Sequence, residues 1–315
     1  MLPPELTARF AADLAALWAG EGRLGLAVSG GPDSLALLLL AHAALPARVA
    51  AATVDHGLRA ESADEAAMVA RLCAELEAPH AILKVTLEPG NLQSQARAAR
   101  YAALAGWMEA EGLVALLTAH HADDQAETLL LRLGRGSGVA GLAGVRARGQ
   151  VPGTRLPLLR PLLGWRRTEL AGVVEAAGLE AVNDPSNTDD RFDRARIRKA
   201  IAGADWLDVP AFALSAAHLA DADAALDWAA LREWQECVSK APLGLTYRPQ
   251  APRAVALRVI GRIVRELDGS DPRGSQLAHL FEELLARRPA SIGNLVARVT
   301  PEGWSFAKAP QRRTR

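Results

Sequence analysis

The chain has 315 residues, of which half are hydrophobic and 23% are charged, and its formal net charge is zero. This is the composition of an ordinary globular protein of roughly two domains, and no apolar run reaches the ~18 residues that a membrane span needs. The two cysteines, Cys73 and Cys237, have neither a metal-binding nor a redox spacing, and the opening stretch lacks a secretion signal. We therefore expect a cytoplasmic protein without disulfides.

Strands and helices are predicted to alternate through the first part of the chain. The strands fall at residues 24–28, 49–55, 80–86 and 113–120, and the helices at 32–45, 61–77, 91–111 and about 122–133. Short links join them. This order predicts an α/β fold, with a doubly wound, mostly parallel sheet and helices on both of its faces.

The pattern changes after the fourth predicted helix. Residues 134–149 are glycine-rich and basic, which predicts a loop, and 151–182 predict a short strand and a helix. Residues 183–192 are a turn-rich connector, and the chain beyond Arg194 reads as helical up to about 240. We expect two domains, residues 1–205 and a smaller, mainly helical domain over 206–315.

Charge is unevenly distributed along the chain. Residues 1–245 contain 23 Lys and Arg against 30 Asp and Glu, whereas residues 246–315 contain 13 against 6. A basic end favours a polyanion as partner. A solvated arginine-rich face is the alternative, and charge alone does not decide between them.

A glycine turn separates the first predicted strand from the first helix of the alternating region. It consists of Ser29, Gly30, Gly31, Pro32, Asp33 and Ser34. The glycines allow backbone angles that point N–H groups into one concavity, and the helix that follows adds its free N–H groups and dipole. The turn therefore predicts a phosphate site rather than a plain connection. No lysine follows the glycines, so this is not the GxxxxGK[ST] loop.

A second polar cluster, HHADDQAET, follows the fourth predicted strand. His120 and His121 close the strand, and Asp123, Asp124 and Glu127 lie on the first turns of the next helix, with Glu127 on one face with both aspartates. Acidic residues at a helix N-terminus interact favourably with the helix dipole, and this alone would account for one or two of the three acids without a functional site. Adjacent histidines point opposite ways on a strand, which disfavours zinc.

Further polar residues are predicted near the same sheet edge. Asp55 and His56 end the second strand at this edge. They either contact a bound ligand or only cap the end of the strand. Arg97, Arg100 and Tyr101 share a helix face that suits phosphate contact, with an exposed arginine face as the alternative. A second basic group suggests contact with triphosphate or nucleic-acid phosphates and consists of Arg194, Arg196, Arg198 and Lys199.

The motifs together resemble a known family. SGGPDS resembles the pyrophosphate loop (PP-loop) of the N-type ATP pyrophosphatases, which have an adenine nucleotide alpha hydrolase-like fold and split ATP between its alpha and beta phosphates. Over about residues 24–200 the chain closely resembles the tRNA(Ile)-lysidine synthases, and it is similar to a compact version of them. The strings that carry this resemblance are VDHGLRAESADEA (54–66), GNLQSQARAARYAAL (90–104), TAHHADDQAETLLLRLGRGSGVAGLAG (118–144), RPLLGWRRTEL (160–170) and NDPSNTDDRFDRARIR (183–198).

The resemblance implies a reaction and its substrates. Members of this family join L-lysine to carbon 2 of the wobble cytidine of tRNA(Ile) with a CAU anticodon. ATP first adenylates the C2 oxygen and releases pyrophosphate, and lysine then displaces AMP. The oligomeric state stays open, a homodimer included.

The resemblance also suggests roles for the predicted site. Residues 29–34 would bind ATP, with Asp55 and His56 near its ribose or base, and Asp33 would hold Mg²⁺ or order the loop. Asp123 or Asp124 would be the general base, because an incoming lysine ammonium must be bound and deprotonated. The residues that would bind lysine or tRNA are His120, Glu127, Arg97, Arg100, Arg194, Arg196 and Arg198. The family usually has asparagine where Ala195 stands.

Two other functions remain in view. A PP-loop tRNA thiolation enzyme that transfers sulfur through a cysteine pair needs two thiols near the ATP site, and Cys73 and Cys237 are not so placed in the predicted elements. A nucleotide-binding RNA adaptor without turnover has little use for three acids beside a phosphate site.

Overall fold

The computed structural model describes residues 2–57, 61–86, 92–180 and 193–309. They belong to two compact units, Met1–Ala220 and Asp221–Arg315. The boundary between the units falls within a long helix, α9 (Val209–Cys237), and the predicted boundary near residue 205 remains a sequence-based proposal. The predicted connector over residues 183–192 lies outside the described residues.

The first unit contains a six-stranded sheet with the order β3-β2-β1-β4-β6-β5. All neighbouring pairs are parallel except β5 with β6. The strands are β1 (Leu24–Ala27), β2 (Val49–Asp55), β3 (His80–Lys84), β4 (Ala115–Leu117), β5 (Arg148–Gln150) and β6 (Pro157–Leu159). The helices are α1 (Pro4–Leu17), α2 (Pro32–Ala44), α3 (Glu61–Glu75), α4 (Leu92–Glu111), α5 (Ala122–Leu133), α6 (Val139–Leu142), α7 (Arg167–Ala176) and α8 (Asp193–Ala202).

Alternate residues of the central strands pack on opposite faces of this sheet. Ala51 and Leu117 join a core with α1, α2, α3 and α7, whereas Ala52 and Leu116 join a second core with α4. Helix α2 is buried from Ser34 to Ala41, because it is covered by α1 and α7 as well as by the sheet. The predicted doubly wound α/β fold is confirmed.

The order of the strands creates a crevice at one edge of the sheet. The chain runs outward from β1 to β2 and β3, and then returns to place β4 on the other side of β1. In open α/β sheets, ligands bind outside the carboxyl ends of the strands at such a switch point. Both predicted polar clusters follow the two strands that flank it.

The stretch 134–149, predicted to be a loop, contains regular structure. It includes the short helix α6 and the start of β5, which pairs with the end of β6. The side chain of Gln125 fixes the segment, since its Nε2 donates to the carbonyl oxygen of Val145 at 2.8 Å and its Oε1 accepts from the Val145 N–H at 2.7 Å. Gly144, at φ +64°, leaves space for that amide. The buried Gln125 amide thus ties this segment to α5.

The second unit combines helices with an antiparallel sheet that the sequence pattern had not indicated. The sheet has five strands in the order β7-β8-β11-β10-β9. Its core includes Ile260, Phe281 and Trp304, and the buried Glu233 accepts a hydrogen bond from the Tyr247 hydroxyl at 3.0 Å. Besides the end of α9, the elements are β7 (Val238–Ala241), β8 (Gly244–Tyr247), α10 (Arg253–Asp268), α11 (Gly274–Leu285), β9 (Ala290–Ile292), β10 (Leu295–Thr300) and β11 (Gly303–Lys308). Within the described ranges, no helix has the length and apolar character to cross a membrane.

Candidate active site

A cavity of about 880 Å³ opens at the carboxyl ends of the central strands of the first unit. The PP-loop, residues 29–34, forms one side of it, and helix α4 forms another. Polar and charged residues lining it are Ser29, Asp33, Ser34, Thr53, His56, Ser62, Glu65, Arg97, Arg100, Tyr101, Thr118, His120, Asp124 and Arg194. Most of the predicted site residues therefore meet in one space.

The PP-loop is shaped by its two serines. The Ser34 hydroxyl donates to the Gly31 carbonyl oxygen at 2.9 Å and accepts from the Ser29 N–H at 3.1 Å. The two hydroxyl oxygens lie 3.2 Å apart. Gly30 has φ +85°, which a residue with a side chain rarely adopts. The strand therefore ends in a bend preformed for an anion at the N-terminus of α2, with Pro32 in its first turn.

The acid wall of the cavity consists of Asp33, His121 and Asp124. The Nε2 atom of His121 lies 3.3 Å from a carboxylate oxygen of Asp33 and 3.6 Å from one of Asp124. His121 is the N-cap residue of α5, and its backbone N–H donates to Asp124 Oδ2 at 3.1 Å. One buried histidine thus joins the PP-loop helix to the acid cluster after β4.

The charge of His121 balances these acids. Burial by itself would lower the pKa of His121, but its interactions with Asp123 and Asp33 and the charge of Asp124 raise it to about 9. The imidazole is therefore cationic at neutral pH. It holds carboxylates together that would otherwise repel one another.

Asp123 is turned away from the ligand space. Its carboxylate accepts hydrogen bonds from the Arg167 N–H at 2.8 Å and from the Arg166 guanidinium at 3.2 and 3.3 Å, and it lies 3.6 Å from His121 Nδ1. Burial opposes ionisation, yet these contacts hold the pKa of Asp123 well below its usual range. Asp123 therefore links α5 to the start of α7.

Glu127 is buried, and arginines neutralise it. One of its carboxylate oxygens accepts from Arg198 Nε at 2.8 Å, and it lies 3.7 Å from Arg167 Nη2. Its side chain is only 2% exposed. Glu127 thus connects α5 to both α7 and α8.

The arginine wall consists of Arg97, Arg100, Tyr101 and Arg160. The Arg97 and Arg100 guanidinium carbons lie 5.1 and 5.2 Å from the centre of the Tyr101 ring. Beside this wall, burial first and then the charges of Arg160, Arg100 and Arg97 lower the pKa of His120 to about 4, although Asp124 opposes the shift. His120 is therefore neutral at pH 7, and its Nδ1 lies 3.0 Å from the Thr118 hydroxyl.

The remaining predicted residues divide between the cavity and its surroundings. His56 lines the cavity, whereas Asp55 accepts hydrogen bonds from the Ser62 hydroxyl at 2.7 Å and the Gly57 N–H at 2.9 Å, which lower its pKa. Arg194 lines the cavity from α8. Arg196, on the same helix, is exposed and pairs with Asp193.

Arg160, Arg166 and Arg167 are residues of the site region that no sequence motif indicated. Arg166 and Arg167 contact Asp123 and Glu127 across at least 40 positions of sequence, and Arg160 lies beyond the end of β6. All three belong to the RPLLGWRRTEL stretch, whose local pattern shows only a strand and a helix start.

Comparison with known proteins identifies the family. A family model, the PP-loop domain, matches residues 5–204. The tRNA(Ile)-lysidine synthase of Novosphingobium aromaticivorans is 50% identical over 310 residues, which cover 97% of this chain and 94% of that protein. The chain belongs to the tRNA(Ile)-lysidine synthase family. Another relative of that name, from Zymomonas mobilis subsp. mobilis, is 39% identical over 299 residues and covers 93% of this chain and 90% of its own.

Membership of the tRNA(Ile)-lysidine synthase family confirms the resemblance that the motifs predicted. Among solved structures, a tRNA thiolase from Methanococcus maripaludis that carries a 4Fe-4S cluster is similar, with a TM-score of 0.56 and 17% identity. The match covers 68% of this chain and 76% of the thiolase. At this identity the likeness shows the fold alone.

Proposed function

We propose that this chain is a tRNA(Ile)-lysidine synthase, which uses ATP to join L-lysine to carbon 2 of the wobble cytidine in tRNA(Ile) with a CAU anticodon. One observation supports the proposal most strongly: a preformed phosphate loop and two acids, Asp33 and Asp124, line the same cavity. Within the described residues, neither acid forms a salt bridge with an arginine or a lysine, although both lie beside His121 and interact with the charge of Arg198. A phosphate site with available carboxylates suits a nucleotide and an amine together.

The PP-loop would serve the adenylation step. The C2 oxygen of cytidine attacks the alpha phosphorus of ATP, the bond to the beta phosphate breaks, and pyrophosphate leaves with the negative charge. Donors of the loop and the N-terminus of α2 stabilise that charge, with the hydroxyls of Ser29 and Ser34 beside them. Because the serines already hold the bend, little reorganisation is needed when ATP binds.

Asp33 fits the requirements of a Mg²⁺ ligand. Its Oδ1 is buried and has no hydrogen-bond partner among the described residues, and its side chain lines the cavity. An ion held there by this carboxylate and by substrate phosphates would offset phosphate charge when bound.

Asp124 is the residue we assign to the lysine step. Its carboxylate would pair with the lysine ammonium and accept a proton from it. The free amine then attacks carbon 2, the carbon–oxygen bond to the adenylate breaks, and AMP leaves. Asp123 is a poorer base, since its contacts hold its pKa low. Asp123 and Glu127 act as positioning residues in this proposal, because arginines already neutralise both.

The second unit supplies features that suit tRNA. On its surface Arg232 lies over the ring of the exposed Trp228 at 5.3 Å, and Arg262 lies over Trp234 at 4.4 Å. Arginine with accessible aromatic rings favours contact with nucleic acid. We expect the activity in the cytoplasm, where its three substrates occur.

A lysine-dependent assay tests the function. The purified chain is incubated with ATP and unmodified tRNA(Ile), with and without L-lysine, and AMP is measured. We expect AMP release only when both tRNA and lysine are present. A tRNA with a different anticodon is the control. AMP release without lysine, or none at all, would contradict the proposal.

The thiolation alternative lacks the required thiols. The full sequence has two cysteines, and both are buried. Burial raises the pKa of the Cys73 thiol to about 11, so little thiolate is present at neutral pH. Cys237 belongs to the second unit. Neither thiol lines the cavity that holds the PP-loop.

A further inference from the structure

Arg160 is a buried cation without an acidic partner among the described residues. It is 8% exposed. Its Nη1 donates to the Arg146 carbonyl oxygen at 2.6 Å, while its Nε has no hydrogen-bond partner within the described ranges. Buried charges in proteins are paired as a rule, because removing a charge from water is costly. The negative charge that balances Arg160 must therefore come from a group outside the described residues, such as a bound ligand.

The groups nearest to Arg160 within the described residues are a tyrosine and further arginines, and none of them is a carboxylate. Leu158 packs in the core beside α4 and Leu159 in the core on the other face, so strand alternation directs Arg160 toward α4. Burial lowers the pKa of Arg160, the Tyr101 hydroxyl beside it raises the pKa, and the positive charge of Arg97 lowers it again. The guanidinium groups of Arg97 and Arg100 lie over the ring of the same tyrosine.

The combined charge of these groups reaches the cavity. His120 lines the cavity, and all three arginines contribute to the depression of its pKa. A neutral donor would satisfy the Arg146 carbonyl oxygen with a smaller desolvation cost than a guanidinium. Interactions with a carbonyl oxygen and a tyrosine therefore do not account for the buried charge.

We propose that Arg97, Arg100 and Arg160 form an anion site that takes one phosphate group of a bound substrate. Arg97 and Arg100, which line the cavity, contact the phosphate, and Arg160 strengthens the site through its buried charge. The inference rests on the proposed function, which brings two phosphate-bearing substrates to this cavity. We favour a phosphodiester of the tRNA next to the wobble cytidine, because the PP-loop already accommodates the pyrophosphate of ATP.

Binding measurements on three variants test the site. Arg160→Gln removes the charge and Arg160→Lys retains it. Arg148→Gln is the matched control, since Arg148 lies exposed on the neighbouring strand β5. The dissociation constants for ATP and for unmodified tRNA(Ile) are measured separately over a range of salt concentrations, and circular dichroism checks folding.

We expect Arg160→Gln to weaken tRNA binding about tenfold and to reduce the slope of log affinity against log salt by about 1. Arg160→Lys should keep most of the affinity, and Arg148→Gln should match the wild type. A loss of ATP affinity instead would assign the phosphate to the nucleotide and still support the site.

Unchanged affinities and salt slope in a folded Arg160→Gln variant would overturn the proposal. An equal loss in Arg148→Gln would do the same. If Arg160→Gln does not fold, the double variant Arg97→Gln with Arg100→Gln must lower the slope by about 1, because one phosphate loses its contacts, and an unchanged slope refutes the site. This test measures binding by variants, whereas the proposed function is tested by lysidine formation with the wild-type protein. The two proposals can therefore fail independently of each other.

Discussion

The acid wall and the arginine wall of the cavity handle their charges differently. In the acid wall, the cationic His121 lies among carboxylates and balances part of their charge. In the arginine wall, the guanidinium groups have an aromatic ring between them and, within the described residues, no acid beside them. One wall is largely balanced by the chain itself, whereas the other depends on a ligand.

The same contrast separates two kinds of acid near the cavity. Asp123 and Glu127 are paired with arginines and join helices to one another. Asp33 and Asp124 line the cavity and share one histidine. Position in the sequence does not distinguish these acids, whereas their partners do. The acids left without arginine partners are therefore the ones that we assign to chemistry.

Removal of the Asp33 charge should have the largest effect. We expect Asp33→Asn to reduce turnover by about 10³-fold, because the site loses the carboxylate that would hold Mg²⁺ beside the phosphates. Pyrophosphate release in a single turnover measures the loss. Normal pyrophosphate release by this variant would contradict the role of Asp33 in adenylation.

Asp124→Asn sharpens the distinction between the two steps. We expect pyrophosphate release to persist and lysine-dependent AMP release to fall about 10²-fold, since the amine loses its base. Asp123→Asn is the matched comparison and should slow the lysine step less. If Asp123→Asn stopped that step and Asp124→Asn did not, the two assignments would be exchanged.

Glu127→Gln tests the structural assignment of a paired acid. It leaves the Arg198 and Arg167 guanidinium groups without their buried partner, so we expect a loss of about 3 kcal/mol in the free energy of unfolding. Urea denaturation measures it. A stability equal to that of the wild type would show that the buried pair does not hold the helices together.

The charge of His121 predicts a pH dependence of stability. Its pKa is about 9 in the folded protein against an ordinary value of 6.5, so its stabilising contribution is complete below pH 6.5 and is lost as pH rises through about 9. At about 1.4 kcal/mol per pKa unit this amounts to roughly 3 kcal/mol. The difference in unfolding free energy between wild type and His121→Asn, followed from pH 6 to pH 10, should shrink. A constant difference would indicate that His121 is not charged in the fold.

Arg196→Gln should have the smallest effect. Arg196 is exposed, and its pair with Asp193 lies at the surface, where such pairs contribute less than about 1 kcal/mol. We expect an almost unchanged unfolding midpoint and a modest loss of tRNA affinity that disappears at high salt. A loss larger than that of Arg160→Gln would move the principal anion site to α8.

The sequence predicted the fold of the first unit well where local patterns determine it. The predicted helix at 122–133 coincides with α5, and the strand at 49–55 coincides with β2, because apolar periodicity and flanking polar residues mark both. The strands of the second unit were missed, since segments as short as Ala290–Ile292 depend on their neighbours in the sheet.

The site could be predicted from the sequence only in part, for a similar reason. The PP-loop and the acid cluster are contiguous motifs, so their residues could be named from the sequence. Asp123 and Glu127 are paired with residues that are distant in the sequence, and Arg160 is buried by the folding of distant segments. A single sequence carries no local signal for such contacts. The sequence therefore identified the acids without distinguishing those that line the cavity from those that hold it together.

A crystal structure with a non-hydrolysable ATP analogue and L-lysine tests the central claim most directly. The account predicts the beta and gamma phosphates against Ser29 and Ser34, and the lysine ammonium within hydrogen-bonding distance of Asp124. An empty cavity, or an ammonium bound at Glu127 after displacement of Arg198, would contradict it.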